Sequence, residues 1–344
     1  MNLTGGKQAV RKVGGRAAAP VGQARGEDAP TPAIDVHQHL LGEALIEALA
    51  RRTEAPMLVR RRDGWTFRVA AEPDSVLTFD ATDAELRRAD LGEDGFDRAL
   101  VALSTALGIE TLPAEDSRAL IEAHHQGIEA LPPEFGGWGA VPLAAAELDP
   151  ADVDTALDRG CVGISLPAAA LIDPAAVERL APLLARLEQR DAPLFVHPGP
   201  VRPAGILPEA AHLPHWWPAL TDYVAQMQAA WFAFLHVGRR AHPRLRVLFA
   251  MLAGGAPLQL ERYAARRGVP APDPDPLVFY DTSSYGRQMI GAVAGIVGMS
   301  QLVYGSDRPV VDPRRPHLDP DLRLALVATN PARLLNPDPK GALA

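Results

Sequence analysis

From Pro32 onward, short apolar runs alternate with longer stretches of helical periodicity. Eight runs read as strands, at residues 33–37, 96–103, 138–143, 161–166, 193–197, 245–250, 277–282 and 301–305. Between them, residues 174–190 place Val177, Leu180, Leu183, Leu184 and Leu187 on one helical stripe, with Asp173 before Pro174 as the start signal. Residues 216–240 form a second long helical pattern. Eight strands alternating with helices predict an α/β fold, a TIM-type (β/α)₈ barrel around one core. A doubly wound open sheet is the rival, but neither GxGxxG nor GxxxxGK[ST] occurs in the sequence to support it.

One stretch breaks the alternation. Residues 40–90 separate the first two strands by far more than one helix. Within them, 57–61 and 65–69 flank Arg62-Asp63-Gly64, which reads as a hairpin with Gly64 in a tight turn. We expect an insertion after strand one that caps the barrel near its site. Residues 1–32 are rich in Gly, Ala, Arg and Lys and lack the apolar core of a secretory signal. Gly14, Gly15 and Pro20 interrupt the helix that an amphipathic targeting peptide needs. This stretch is expected to be a disordered leader, with the barrel over 33–337 and a short tail over 338–344.

Composition narrows the function classes. The chain has 344 residues, 47% hydrophobic and 22% charged, as in ordinary globular proteins. A net charge of -8 argues against a nucleic-acid partner. No apolar run reaches the roughly 18 residues of a membrane span, so no membrane partner is expected. The single cysteine, Cys161, can form no internal disulfide, which suits a reducing, cytoplasmic setting. It is expected to be a small core residue at the start of strand four.

The candidate chemistry lies at strand ends. His37 and His39 stand two apart at the end of strand one, so both side chains share a face. His197 ends strand five, and Asp307 follows strand eight. Barrel active sites form at the C-terminal ends of the strands. Closure makes strands one and eight neighbours, so His37, His39 and Asp307 meet on one wall and His197 reaches across. Singly, each has a plainer reading: a satisfied buried histidine, or, for Asp307 before Pro309, a helix cap. Together they point to one divalent ion. Three imidazoles and a carboxylate suit zinc by default, with manganese, cobalt or iron also compatible.

These residues carry a resemblance. Asp35-Val36-His37-Gln38-His39, the Phe-Val-His-Pro run at 195–198 and Gly305-Ser306-Asp307-Arg308-Pro309 resemble the amidohydrolase superfamily, and best its branch around aminocarboxymuconate-semialdehyde decarboxylase. The stretches at 242–247, 330–335, 63–69 and 215–218 are also similar to that branch. The resemblance runs from about Pro32 to Asn336. It implies metal binding at His37, His39, His197 and Asp307, with Arg68 contacting a substrate carboxylate and Trp216 lining the pocket. On its chemistry alone, Arg68 either grips a carboxylate with two parallel hydrogen bonds or is a solvated hairpin arginine like Arg60, Arg61 and Arg62.

One departure matters. Met251 stands where the family carries an acid–base histidine before the pair Gly254-Gly255. A thioether carries no proton at neutral pH. His212 and His215, in the loop after strand five, are the imidazoles that the catalytic face offers in its place; their plainer reading is as loop residues. We take His215 with Asp307 as the catalytic candidates. His236 and His242 belong to the opposite face, and His124 and His125 read as surface residues of a helix. Asp281 and Ser283 follow strand seven, either as substrate contacts or as turn caps.

Three functions follow. The first is non-oxidative decarboxylation of a small unsaturated or aromatic carboxylic acid. The second is metal-dependent hydrolysis of a carboxylate-bearing lactone or amide, which Asp307 can serve alone. The third is a non-catalytic ligand-binding barrel, supported only by Met251. The expected partner is a small-molecule carboxylate. The cap and the aromatic helix around Trp231 and Phe232 permit a homodimer.

Overall fold

The computed structural model describes residues 31–62, 64–69, 74–77, 82–145, 147–200, 214, 216–311 and 319–335. The leader up to Pro30, the tail, Asp63, His212 and His215 lie outside these. Parallel strands carry the core: β1 (Ile34–Gln38), β5 (Arg98–Val101), β6 (Phe135–Gly137), β7 (Ile164–Pro167), β8 (Leu194–His197), β9 (Val247–Phe249), β10 (Val278–Asp281) and β11 (Leu302–Val303). They pair in the orders β1-β5-β6 and β7-β8-β9-β10-β11. Backbone hydrogen bonds join the two sheets at both seams. Beyond β6, the Gly139 amide donates to Gly163 O and the Ser165 amide to Gly139 O, both at 2.8 Å. Beyond β11, the Val36 amide donates to Tyr304 O at 3.0 Å, and Gln38 bridges Arg308. This is the α/β barrel that the alternation predicted.

Apart from Arg98 and Gly136, the strand residues are buried, as parallel strands covered on both faces must be. The third differs from expectation. It lies at Phe135–Gly137, ahead of the apolar run at 138–143. Gly136 and Gly137 add nothing to a hydrophobic pattern, yet the packing selects them. A Cβ on Gly137 would stand 2.4 Å from Ile128 Cδ1, and one on Gly136 2.9 Å from Leu100 Cδ2. The residues after the strand, Trp138, Ala140, Val141 and Leu143, are apolar because they are buried in the core. Cys161 is also buried, but β7 starts only at Ile164. Burial pushes its thiol up to about 12, which leaves it inert at neutral pH.

The stripe at 174–190 is buried as expected, and the Asp173 carboxylate accepts from the Ala176 amide. It forms two helices, Pro174–Arg179 and Ala181–Gln189. Pro182 has no N–H to continue the first, so the second restarts around it. The region 216–240 is also divided, into Trp217–Leu220, Asp222–Ala233, a π-turn at Phe234–Gly238 and Arg239–Ala241. Trp231 points inward and its indole donates to the Tyr280 hydroxyl, so it is not available to a dimer. Among the described residues, no helix is long and apolar enough to cross a membrane.

The insertion is a three-stranded antiparallel sheet. β2 (Met57–Arg61) pairs with β3 (Gly64–Arg68), which pairs with β4 (Ser75–Leu77). The turn falls at Gly64, whose φ of 140° excludes most side chains. Trp65, Phe67 and Leu77 pack on a cluster of Leu45, Leu49, Leu58, Leu103 and Ile109. The helix Ala84–Glu93 follows, capped by Asp83 through the Leu86 amide.

His124 and His125 correct the sequence reading: both are buried, on the barrel side of the helix Ala114–Glu129. The Ala140 amide donates to His125 Nε2 at 3.1 Å, which requires a neutral ring. His124 Nε2 faces Trp138 O at 3.2 Å and donates to it. Burial, and for His124 the neighbouring His125, pull these imidazoles down to about 3 and about 4. A histidine lowered in the folded state contributes stability that is whole above its unfolded value of 6.5 and is lost as pH falls below it. Glu110, fully buried and raised by burial to about 7, works in the opposite sense over the same range. A difference measurement isolates one histidine. The stability of the native protein minus that of His125→Gln is expected to fall by up to about 1.4 kcal/mol per pH unit between pH 6.5 and 5. Urea midpoints at several pH values test this, and a flat difference would refute it.

Candidate metal centre

β1 delivers two imidazoles to the barrel mouth. His37 and His39 are both buried, and their rings meet edge to face with Nε2 atoms 3.2 Å apart. His197, at the end of β8, turns its ring to both at centroid distances of 4.8 and 5.0 Å. Asp307 Oδ1 lies 3.2 Å from His39 Nε2 and 3.5 Å from His37 Nε2. One ligand atom from each of the four residues falls within 4.8 Å of all the others. The structure thus gathers the four residues that the sequence singled out.

Each ring is anchored through Nδ1. His37 Nδ1–H donates to Asp281 Oδ2 at 2.6 Å. His39 Nδ1–H donates to Ala102 O at 3.0 Å. His197 Nδ1–H reaches both Pro198 O and Thr105 Oγ1 at 2.8 Å. Anchored at one nitrogen, a ring offers its other lone pair to a metal. Asp307 adds a second sign. Its Oδ1 is buried and, among the described residues, has no hydrogen-bond partner. Convergent lone pairs and an orphaned carboxylate oxygen repel one another unless a cation lies among them. The donor set therefore fits a divalent ion.

The electrostatics agree. Burial pulls His37 down, but the Asp281 and Asp307 carboxylates outweigh it and raise the ring to about 9. Burial and the neighbouring charges of His37 and His39 hold His197 well below its ordinary value. Metal uptake by such a cluster is coupled to proton release.

Asp281, left by the sequence as either a substrate contact or a turn cap, does cap the turn. It also anchors His37. Its Oδ1 accepts from the Ser283 amide at 2.7 Å and the Met251 amide at 3.2 Å. Its place at the C-terminal end of a barrel strand was the available signal. Gly305 makes room for this contact. A Cβ there would stand 2.8 Å from His37 Cβ and 3.0 Å from Asp281 Cγ.

Met251 opens a run of left-handed backbone. φ is 44° at Met251, 50° at Leu252, 54° at Ala253, 60° at Gly254 and 75° at Gly255. Three consecutive non-glycine residues in that region are costly and persist only where packing enforces them. Arg68 pairs with Asp74 on the inserted sheet, Nη2 to Oδ2 at 3.0 Å, with both side chains partly exposed. Trp216 is 56% exposed and tilts against Trp217. His215 lies outside the described residues.

A four-donor centre at the C-terminal mouth of a parallel barrel defines a metal-dependent barrel enzyme. The amidohydrolase family model matches residues 34–338, and the chain belongs to that family. It is an enzyme of the amidohydrolase superfamily, and its four donors fit a divalent ion. No protein of curated function matches the sequence. Among solved structures, IDCase of Metarhizium anisopliae in apo form is similar, with 18% identity and a TM-score of 0.68 over 89% of this chain and 97% of that one. The 5-carboxyvanillate decarboxylase of Sphingomonas paucimobilis shares 17% identity, with a TM-score of 0.67 over 89% and 99%. That of Novosphingobium aromaticivorans, complexed with manganese and 4-hydroxy-3-methoxy-5-nitrobenzoic acid, shares 15%, with a TM-score of 0.67 over 89% and 96%.

Proposed function

We propose that the enzyme removes carbon dioxide, without oxidation, from a small aromatic or unsaturated carboxylic acid. The observation that carries this reading is the anchored His37, His39, His197 and Asp307 set within a fold shared with decarboxylases of aromatic acids. Nε2 of the three histidines and Oδ1 of Asp307 would hold one divalent ion, zinc by default. Bound there, the ion supplies Lewis acidity toward a substrate oxygen. Asp307 Oδ1 is buried, which leaves Oδ2 as the oxygen that holds and passes a proton. As the carbon–carbon bond breaks, its electron pair stays on the substrate carbon, and a proton replaces the departing carbon dioxide. Asp307 delivers that proton, with His215 as its partner, because the Met251 thioether cannot.

Arg68 offers a substrate carboxylate the two-pronged contact that it now makes with Asp74. The exposed Trp216 ring offers an aromatic substrate a stacking face. A cytoplasmic location, which the single buried thiol of Cys161 suits, and a homodimer through the inserted sheet are part of this reading.

Met251 favours hydrolysis of a carboxylate-bearing lactone or amide as the second reading, since Asp307 alone can serve that reaction. A headspace assay across aromatic and unsaturated carboxylates, run beside a lactone panel, separates the two. Metal-dependent carbon dioxide release is expected. Lactone opening without carbon dioxide release would replace the first reading with the second.

A further inference from the structure

The helix Ala84–Glu93 sends a fully buried arginine toward β1, and nothing in the proposed chemistry uses it. Arg87 is 1% exposed. Its Nη1 donates to His39 O at 3.1 Å and its Nη2 to Gln38 Oε1. Gln38 Nε2 donates onward to Asp35 Oδ2 at 2.7 Å. Asp35 Oδ1 accepts from the His37 amide at 3.2 Å and from the Ser306 amide at 3.0 Å. One chain of polar contacts thus runs from the helix, behind both histidines, to the residue before Asp307.

The same helix grips the other side. Arg308, the residue after Asp307, donates from Nη1 to Asp90 Oδ2 at 2.8 Å and from Nη2 to Asp94 Oδ2 at 2.9 Å. Between the two grips, the His39 amide donates to Arg308 O at 2.7 Å and the Asp307 amide to His37 O at 2.9 Å. A buried guanidinium is costly unless its fork is satisfied, and lysine cannot reproduce the fork. The contacts fall on the backbone and neighbours of three of the four metal donors.

We propose that the helix Ala84–Glu93 is a clamp that sets the spacing of His37, His39 and Asp307, with Arg87 as its positioning residue. The proposal rests on the reading of those residues as metal ligands. Arg87 fixes the β1 strand end, Asp90 and Asp94 fix the segment after β11, and the helix between them holds the two at a constant distance. The inserted segment thereby acts on metal retention.

Cobalt titration of the metal-free full-length chain tests the clamp, read by visible absorption and by competition with a chelator. The native protein is measured first. Failure to take up about one equivalent would overturn the ligand reading and the clamp with it. Given uptake, Arg87→Lys is expected to fold by far-UV circular dichroism, to bind cobalt about 10–100-fold more weakly and to alter the cobalt absorption bands. Asp90→Ala/Asp94→Ala acts on partly exposed residues and is expected to do the same, so it decides the matter if Arg87→Lys does not fold. Folded variants with native cobalt affinity and spectrum would overturn the clamp, even if their metal-free melting temperatures fell.

Discussion

Asp307→Ala is expected to lose turnover and bound metal together. The substitution removes one of four donors, the one whose Oδ1 has no other partner among the described residues. The rate loss is expected to be on the order of 10³-fold or more, since Lewis-acid stabilisation by a bound ion is worth several kcal/mol. A control is needed because Asp307 has a φ of 58°, where alanine is strained and asparagine is tolerated. Asp307→Asn keeps the shape and the backbone while removing the charge. It is expected to fold like the native protein and still lose most of its metal. Metal content by mass spectrometry, measured beside turnover, checks both variants. Unchanged turnover in either would sink the decarboxylase and hydrolase readings alike.

Asp281→Ala is expected to produce the second-largest effect. It touches no substrate and no metal in the proposed arrangement, yet it orients His37 and caps two amides. Its removal strands His37 Nδ1–H and the Met251 and Ser283 amides in a buried setting, at about 1–3 kcal/mol for each donor that water cannot reach. Metal affinity is expected to fall about 10–100-fold, as for other groups that orient a metal-binding histidine. The carboxylate is itself held low: burial pushes it up, but the charge and hydrogen bond of His37 outweigh that. Its contribution to stability is therefore present above the ordinary aspartate range and is lost as pH falls through the lowered value. Isothermal titration with zinc, beside a thermal melt of the metal-free form, separates the two consequences. Native metal affinity in Asp281→Ala would rule out the anchoring role.

The legibility of each part followed from what packing shows in a sequence. Buried parallel strands are apolar along their length, so seven of the eight barrel strands announced themselves as runs. The third did not, because Gly136 and Gly137 were selected for lack of bulk. His37 and His39 were legible through the two-residue period of a strand, and His197 and Asp307 through their places at strand ends. The anchors behind them were not. Asp281 looks like any residue that ends a strand, and Arg87 looks like a solvated helix charge until the barrel is placed against it. His124 and His125 failed for the same reason, since a helix pattern gives the spacing of a buried face but not the polar acceptors waiting across the contact. The inserted sheet was half visible. The turn at Gly64 marked β2 and β3, while the three residues of β4 were too few to show a period.

The seam between β11 and β1 carries a consequence for biosynthesis. The Asp35 carboxylate and the Ser306 amide meet there across 271 positions of sequence. A ribosome must deliver the chain as far as Ser306 before those partners exist together. The donors His37, His39 and His197 emerge before Asp307, with no carboxylate to complete them. Translation products that stop short of Asp307 would then be metal-poor and would expose an open sheet edge, a template for aggregation. The fourth donor and the last seam therefore arrive together, and a chain released before that point has neither.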